Sequence, residues 1–334
     1  MVYGALDIGG TKIAGALVDE SGNVIARARR ATPARRPAGE LAAAVTAVQD
    51  ELAAHPAWAG LTCLGIASAG PVDAAGGTVS PVNIPAWRGF PLVELVRTHP
   101  ATPEGIRPVL VGDAVAMTAA EHWLGAARGV ANALCMVVST GVGGGLVLDG
   151  RVHAGLTGNA GHIGHITVDL DGPRCPCGAP GCVEMFASGT AIAAHARALG
   201  WTAPRDGASD AAAVAEAARG GDERARAAYE RAARALAAAI AATAALVELE
   251  RVVIGGGVAQ AGEVLFAPLR RRTADYAVLD FVRDIPVVPA ALALDAGLVG
   301  AAAVAAQAAD VRAAGPVAAL RFRPGPASAV SYPN

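Results

Sequence analysis

The sequence has almost no lysine, few aromatic residues and little charge. Lys12 is the only lysine among 334 residues, and arginine supplies the rest of the lysine-plus-arginine count of 27. Phe, Trp and Tyr make up 4%, the four charged types 17%, and the formal net charge is −2. That balance excludes a polybasic face for nucleic acid or for an anionic membrane. Wholesale disorder is excluded as well, because it requires low hydrophobicity and high net charge, whereas apolar residues make up 53% here. A long apolar run is also missing. The most extended nearly uncharged helical stretch, residues 235–247, lies between Arg234 and Glu248 and is shorter than the roughly 20 residues of a bilayer span. Residues 1–10 lack the basic-then-apolar pattern of a secretion signal. A cytoplasmic protein with neither membrane nor nucleic-acid partners is expected. The length suits two domains of about 150 residues each.

Cysteine is sparse, at five residues. Cys63 and Cys135 lie in apolar runs and read as small buried hydrophobes. Cys175, Cys177 and Cys182 cluster. Without a secretion signal, such a cluster points to a metal rather than to disulfides.

Strand and helix patterns alternate along the chain, which predicts an α/β fold. Residues 3–8 and 13–18 read as strands around the turn Gly9-Gly10-Thr11, with a third strand at 24–28 and a helix at 40–54. Strands follow at 61–67 and 108–111, then a helix at 114–124. The pattern then recurs. Residues 133–138 are a strand, 139–145 a glycine-rich turn, and 146–153 a hairpin about Asp149-Gly150. Strand, glycine turn and strand thus open both halves, with a period of roughly 130 residues. Residues 209–249 are helical by their alanine content. Residues 251–254 form a strand ending in Gly255-Gly256-Gly257, and 296–308 a last helix. The proline-rich stretch 315–334 reads as a loosely held tail.

Three groups of residues carry chemistry. In Asp7-Ile8-Gly9-Gly10-Thr11-Lys12 a strand delivers a carboxylate, and two glycines let the backbone N–H groups approach phosphate oxygens. Ser139-Thr140-Gly141 and the glycines to Gly145 form a second such cradle, and Gly255 to Gly257 a third contact. Neither a Walker loop nor a dinucleotide fingerprint is present, since GxxxxGK[ST] is absent and Gln260 stands at the last glycine position of the third run. His165, Cys175, Cys177 and Cys182 supply one imidazole and three thiolates, the donor set of a closed structural Zn²⁺ site. His162 and Glu184 flank that set as candidate ligand-binding groups. His122, His153 and His195 have no such context. Asp113 follows a strand where a helix begins; it reads as an N-cap or as the carboxylate that accepts a proton from an acceptor hydroxyl in phosphoryl transfer.

Taken together, Asp7 to Lys12, Ser68-Ala69-Gly70-Pro71-Val72, Ser139 to Gly145, Gly161-His162-Ile163-Gly164-His165, the run from Cys175 through Cys182 to Glu184, and Gly255 to Gly257 resemble the ROK family of repressors and sugar kinases. The resemblance runs from about residue 3 to residue 308 and rests most firmly on the Gly-His and CxCGxxGCxE signatures. It implies an actin-like, hexokinase-like ATPase fold of two ribonuclease-H-like domains, with ATP and a sugar meeting in the cleft between them. The smaller domain would comprise 1–115 with about 296–314, and the larger 116–295 with a zinc loop at 158–189. The phosphate motif begins at Asp7, which leaves no room for the helix-turn-helix of the repressors and points to the kinase branch.

By that resemblance Asp113 is the catalytic base toward a sugar 6-hydroxyl. Asp7, Gly9, Gly10, Thr11, Lys12, Thr140, Gly141, Gly256 and Gly257 serve ATP, its phosphates and Mg²⁺. Gly70, Asn83, Gly112, His162, His165 and Glu184 face the sugar, and a homodimer is implied. Two positions depart from the family pattern. Gly112 stands where most members have asparagine, and His162 where most have glutamate, although N-acetylmannosamine kinases share AGHIGH, here residues 160–165. A site that has lost polar partners selects a different sugar. A modified hexose such as N-acetylmannosamine is therefore expected, with kanosamine or glucose as alternatives and a non-catalytic sugar sensor as the reading from another class.

Overall fold

The computed structural model describes residues 1–81, 84–203, 208–292 and 295–314. β1 (Val2–Ile8), β2 (Lys12–Asp19) and β3 (Val24–Ala31) form an antiparallel meander. After α1 (Ala38–Ala53) the chain adds β4 (Leu61–Ser68) parallel to β1. The small hairpin of β5 (Val72–Asp73) and β6 (Thr78–Val79) and the helix α2 (Leu92–Arg97) precede β7 (Val109–Gly112), which pairs parallel with β4. The first sheet thus has the order β3-β2-β1-β4-β7.

α3 (Asp113–Trp123) leads into a second sheet of the same design. β8 (Ala133–Val138), β9 (Val142–Leu148) and β10 (Arg151–His153) are its meander. The helices α4 (Glu184–Ala187), α5 (Gly189–Ala198), α6 (Ala211–Arg219) and α7 (Glu223–Val247) follow. β11 (Arg251–Gly255), α8 (Glu263–Tyr276) and β12 (Val287–Pro289) complete the order β10-β9-β8-β11-β12. The two orders match strand for strand, antiparallel and parallel pairings included. The repeat read from two glycine turns is therefore a duplicated sheet.

The last helix, α9 (Ala296–Ala314), crosses back to pack on β1, β4 and α3. α3 also packs on β8 and β9, so the α3–α9 pair lies between the two sheets. Their approach is set by missing side chains. A Cβ at Gly300 would fall on the carbonyl of Ala116, and one at Gly65 on the carbonyl of Ala301. The long helical stretch 209–249 forms two helices, α6 and α7. It breaks at Gly220-Gly221, and Asp222 caps α7 by accepting from the N–H groups of Arg224 and Ala225. Among the described residues, no helix is long and apolar enough to cross a membrane.

Three expectations need correction. Gly143 to Gly145 belong to β9, not to a turn. They are glycine because α3 and the 161–163 segment press on the strand: a Cβ at Gly144 would meet Ile163 Cγ2 at 2.9 Å, and one at Gly145 would collide with the Thr118 hydroxyl. Asp113 is the first residue of α3, and Gly112 holds the N-cap position. β3 and α9 run on to Ala31 and Ala314. Asn83 and the stretch 315–334 lie outside the described residues.

Candidate active site

Both hairpin turns that open the sheets are built to leave backbone donors available. In the first, Gly9 N–H donates to Lys12 O at 2.9 Å, and the Thr32 hydroxyl braces Gly9 O at 2.7 Å. Neither Gly10 nor Thr11 gives its N–H to a chain acceptor among the described residues. The second turn repeats the device. Ser139 N–H donates to Gly141 O at 2.8 Å, while Thr140 and Gly141 keep their N–H groups free among the described residues. Glu184, at the start of α4, holds this turn through Oε2, which accepts the Val142 N–H at 2.9 Å. Each turn thus offers two backbone N–H groups with no chain acceptor among the described residues, which is what an anion cradle requires.

A cavity of about 220 Å³ lies between the sheets. Gly70 and Pro71 line it from the first half and Val142 to Gly144 from the second, with Gly112, Asp113, His162 and His165 on its walls. The Asp113 carboxyl opens onto the cavity but sits in a concave wall. Loss of water there raises its pKa above the usual carboxylate range, while the Ala114 N–H, donating at 2.7 Å, and the His162 ring pull the other way. Asp7, at the end of β1, is pushed up to about 6, first by burial, with Lys12 lowering and the Asp113 charge raising it. The Asp113 charge thus reaches Asp7 along the same edge of the first sheet. Gly297, in the first turn of α9, abuts Asp7; a Cβ there would lie 2.6 Å from Oδ2. Gly112 is different: a Cβ would meet nothing nearer than Gly158 O at 4.0 Å, so its missing side chain leaves open room beside Asp113.

His165, Cys175, Cys177 and Cys182 come together, with all four ligand atoms within 4.8 Å of one another. Cys175 Sγ is 3.7 Å from His165 Nδ1, and Cys177 Sγ is 3.6 Å from Cys182 Sγ. A tetrahedral Zn²⁺ with bonds of about 2.0–2.3 Å requires donor separations of this size. The residues therefore fit a closed zinc centre with no open ligand position. The ion would pin the loop that runs on to Glu184, and His165 would join the centre to the cavity wall.

A second cavity, of about 320 Å³, lies beyond the Ser139–Gly141 turn. Ser139, Thr140 and Gly257 line it with Gly189, Thr190 and Ala193 of α5 and with Asp210 and Ala211 at the start of α6. Gly256 adopts φ 91°, and a Cβ there would strike Val138 O, so β11 closes against β8 only with glycine. Of the residues singled out from the sequence, the structure groups Gly70, Gly112, Asp113, His162 and His165 in the first cavity and Thr140 and Gly257 in the second. Glu184 does not line the Asp113 cavity; it supports it through Val142 and borders a neighbouring cavity with Thr140. The α5 and α6 residues of the second cavity were not legible, because nothing local marks alanine and threonine as lining residues.

The ROK family model matches residues 3–308. The chain belongs to the ROK family. It is 34% identical over 315 residues to a glucokinase of Thermotoga maritima, covering 90% of this chain and 95% of that one. It is 39% identical over 299 residues to an N-acetylmannosamine kinase of Yersinia pseudotuberculosis, covering 89% and 96%. Among solved structures, a ROK family glucokinase of Streptomyces griseus, in complex with glucose and AMPPNP, is 32% identical with a TM-score of 0.74, covering 92% of this chain and all of that one. The fold is the hexokinase-like α/β architecture of this family.

Proposed function

We propose that this protein is an ATP-dependent sugar kinase that transfers the γ-phosphoryl group to the 6-hydroxyl of a hexose. The observation that carries this is Asp113, a carboxylate opening onto a cavity walled by both halves, with the strand that leaves the Ser139–Gly141 turn on the same wall. The kinase names and the AMPPNP complex among its relatives support the same reading. At about 220 Å³ the cavity is smaller than the roughly 300–1,000 Å³ pockets of drug-sized ligands, which suits a single sugar ring.

In this mechanism Asp113 accepts the proton of the attacking hydroxyl, and its raised pKa suits it to hold that proton. The N–H groups of Gly10, Thr11, Thr140 and Gly141, together with Lys12, stabilise the phosphate oxygens as the phosphoryl group moves in line. Asp7 would hold Mg²⁺, which when bound supplies neutralising charge to the phosphates. Gly256 and Gly257 close the nucleotide side next to the second cavity. Gly70, Gly112, His162 and His165 face the sugar, and Glu184 acts behind Val142. The half comprising 1–115 with about 296–314 closes on 116–295 to exclude water.

The open space at Gly112 and the imidazole of His162 favour a hexose with a bulky or amino substituent, N-acetylmannosamine first. The test is ADP release with MgATP across glucose, mannose, N-acetylmannosamine, N-acetylglucosamine, glucosamine and kanosamine. A single preferred N-acyl or amino sugar supports the reading. Glucose as the best substrate by kcat/KM would overturn the specificity, and a flat panel at the sugar-free rate would overturn the kinase.

A further inference from the structure

One wall of the Asp113 cavity is stitched across the two halves of the molecule. Ala74 N–H, beyond β5, donates to Thr157 O at 2.9 Å. Two residues on, the Asn159 amide makes two bonds to a single residue. Its Nδ2 donates to Val72 O at 2.7 Å, and its Oδ1 accepts the Val72 N–H at 3.3 Å. An amide side chain placed this way presents the same donor and acceptor as a neighbouring strand. Gly158 lies between the two ties with φ 87°, and a Cβ there would meet Ala74 Cβ at 2.9 Å and Val72 Cγ2 at 3.1 Å. The backbone carbonyl of Asn159 then accepts from His162 Nδ1 at 2.7 Å. That bond puts the ring proton on Nδ1 and leaves Nε2 as the nitrogen available to a ligand. Residues 158–160 and His162 all line the cavity.

We propose that Asn159 is a positioning residue that latches the 157–159 loop to residues 72–74 and couples that closure to the orientation of His162. The inference rests on the sugar-kinase reading and adds to it a device in this chain's own residues. Two net hydrogen bonds correspond to a factor of about 30 in the ratio of latched to open forms. A ligand that binds only the latched form loses apparent affinity as the latched fraction falls, and exchange through the open form speeds up as the open fraction rises, so the two changes share that factor and their product is about 30.

The test compares wild type with Asn159→Ala and Asn159→Asp, using N-acetylmannosamine and glucose as probes with MgATP. In both variants the sugar KM rises about three- to sixfold. The kcat at saturating sugar stays within about threefold, because the bound sugar itself draws the halves together, and the ATP KM is unchanged. In parallel, hydrogen exchange at the Val72 and Ala74 amides speeds up about five- to tenfold in the sugar-free variants, while the Cys175 amide of the cysteine loop is unaffected. An unchanged sugar KM, or a loss of kcat at constant KM, overturns the proposal. So does unchanged exchange at Val72 and Ala74. If wild type releases no ADP with any sugar, the kinase reading fails, and the exchange comparison still decides whether the latch exists.

Discussion

Replacing Asp7 by asparagine should stabilise the nucleotide-free protein while removing its function. The Asp7 carboxyl lies half-buried at the end of β1 against Gly297, and its pKa stands at about 6 rather than 3.8. A tenfold change in proton affinity is worth about 1.4 kcal/mol, so ionising this group costs the fold up to about 3 kcal/mol above pH 6. Partial solvent access trims the figure, and the gain for Asp7→Asn at pH 8 is about 1–3 kcal/mol. The sign follows from proton counts. Between about pH 4 and 6 the native state holds the proton and the unfolded chain has lost it, so this group's stabilisation falls as pH rises through that window and stays lost above it. The advantage of Asp7→Asn over wild type therefore grows from near zero at pH 4 to its full value above pH 6. Thermal unfolding without nucleotide or Mg²⁺ should show a rise of roughly 2–6 °C at pH 8, with MgATP affinity lost. An equal shift at pH 4 and pH 8, or a lower melting temperature at pH 8, would show that burial does not raise the proton affinity of Asp7.

Three further predictions follow from the same geometry. Asp113→Asn should lower kcat about 10²- to 10⁴-fold with ATP affinity unchanged by calorimetry; normal turnover would remove Asp113 from the mechanism. Purified protein should carry one zinc per chain by metal analysis, and chelation should raise the sugar KM about 10- to 100-fold before nucleotide binding is affected. A chelated, metal-free enzyme with its original sugar KM would separate the cysteine cluster from the site. Gly300→Ala should destabilise the fold by about 1–3 kcal/mol in urea unfolding, because the new methyl meets the Ala116 carbonyl where α9 crosses α3; a neutral result would mean that the crossing yields easily.

Local patterns carried much of the architecture. The apolar runs on either side of Gly9-Gly10-Thr11 and of Ser139-Thr140-Gly141 marked two equivalent hairpins, and the sheets they open share one strand order. The cysteine spacing with His165 marked four donors that the fold brings within 4.8 Å. What stayed hidden depends on distant partners. Gly143 to Gly145 look like a turn until α3 and Ile163 are known to pack on them. Glu121 carries no sequence signal, yet it is fully buried and accepts the N–H groups of Ala126 at 2.7 Å, Ala291 at 3.1 Å and Leu292 at 2.7 Å. It ties the turn after α3 to the segment leading into α9. Asn159 is as silent, because its importance lies wholly in Val72, 87 positions away.

The reaction proposed for this protein is phosphoryl transfer to a hexose primary hydroxyl with Asp113 as the base. Its most direct test is phosphorus and proton NMR of the product formed from MgATP and the preferred sugar of the panel, with wild type and Asp113→Asn side by side. A new phosphomonoester on the 6-oxygen with wild type, nearly absent with Asp113→Asn, is the result predicted. Phosphate on another oxygen, free phosphate alone, or equal product from both proteins would contradict the account.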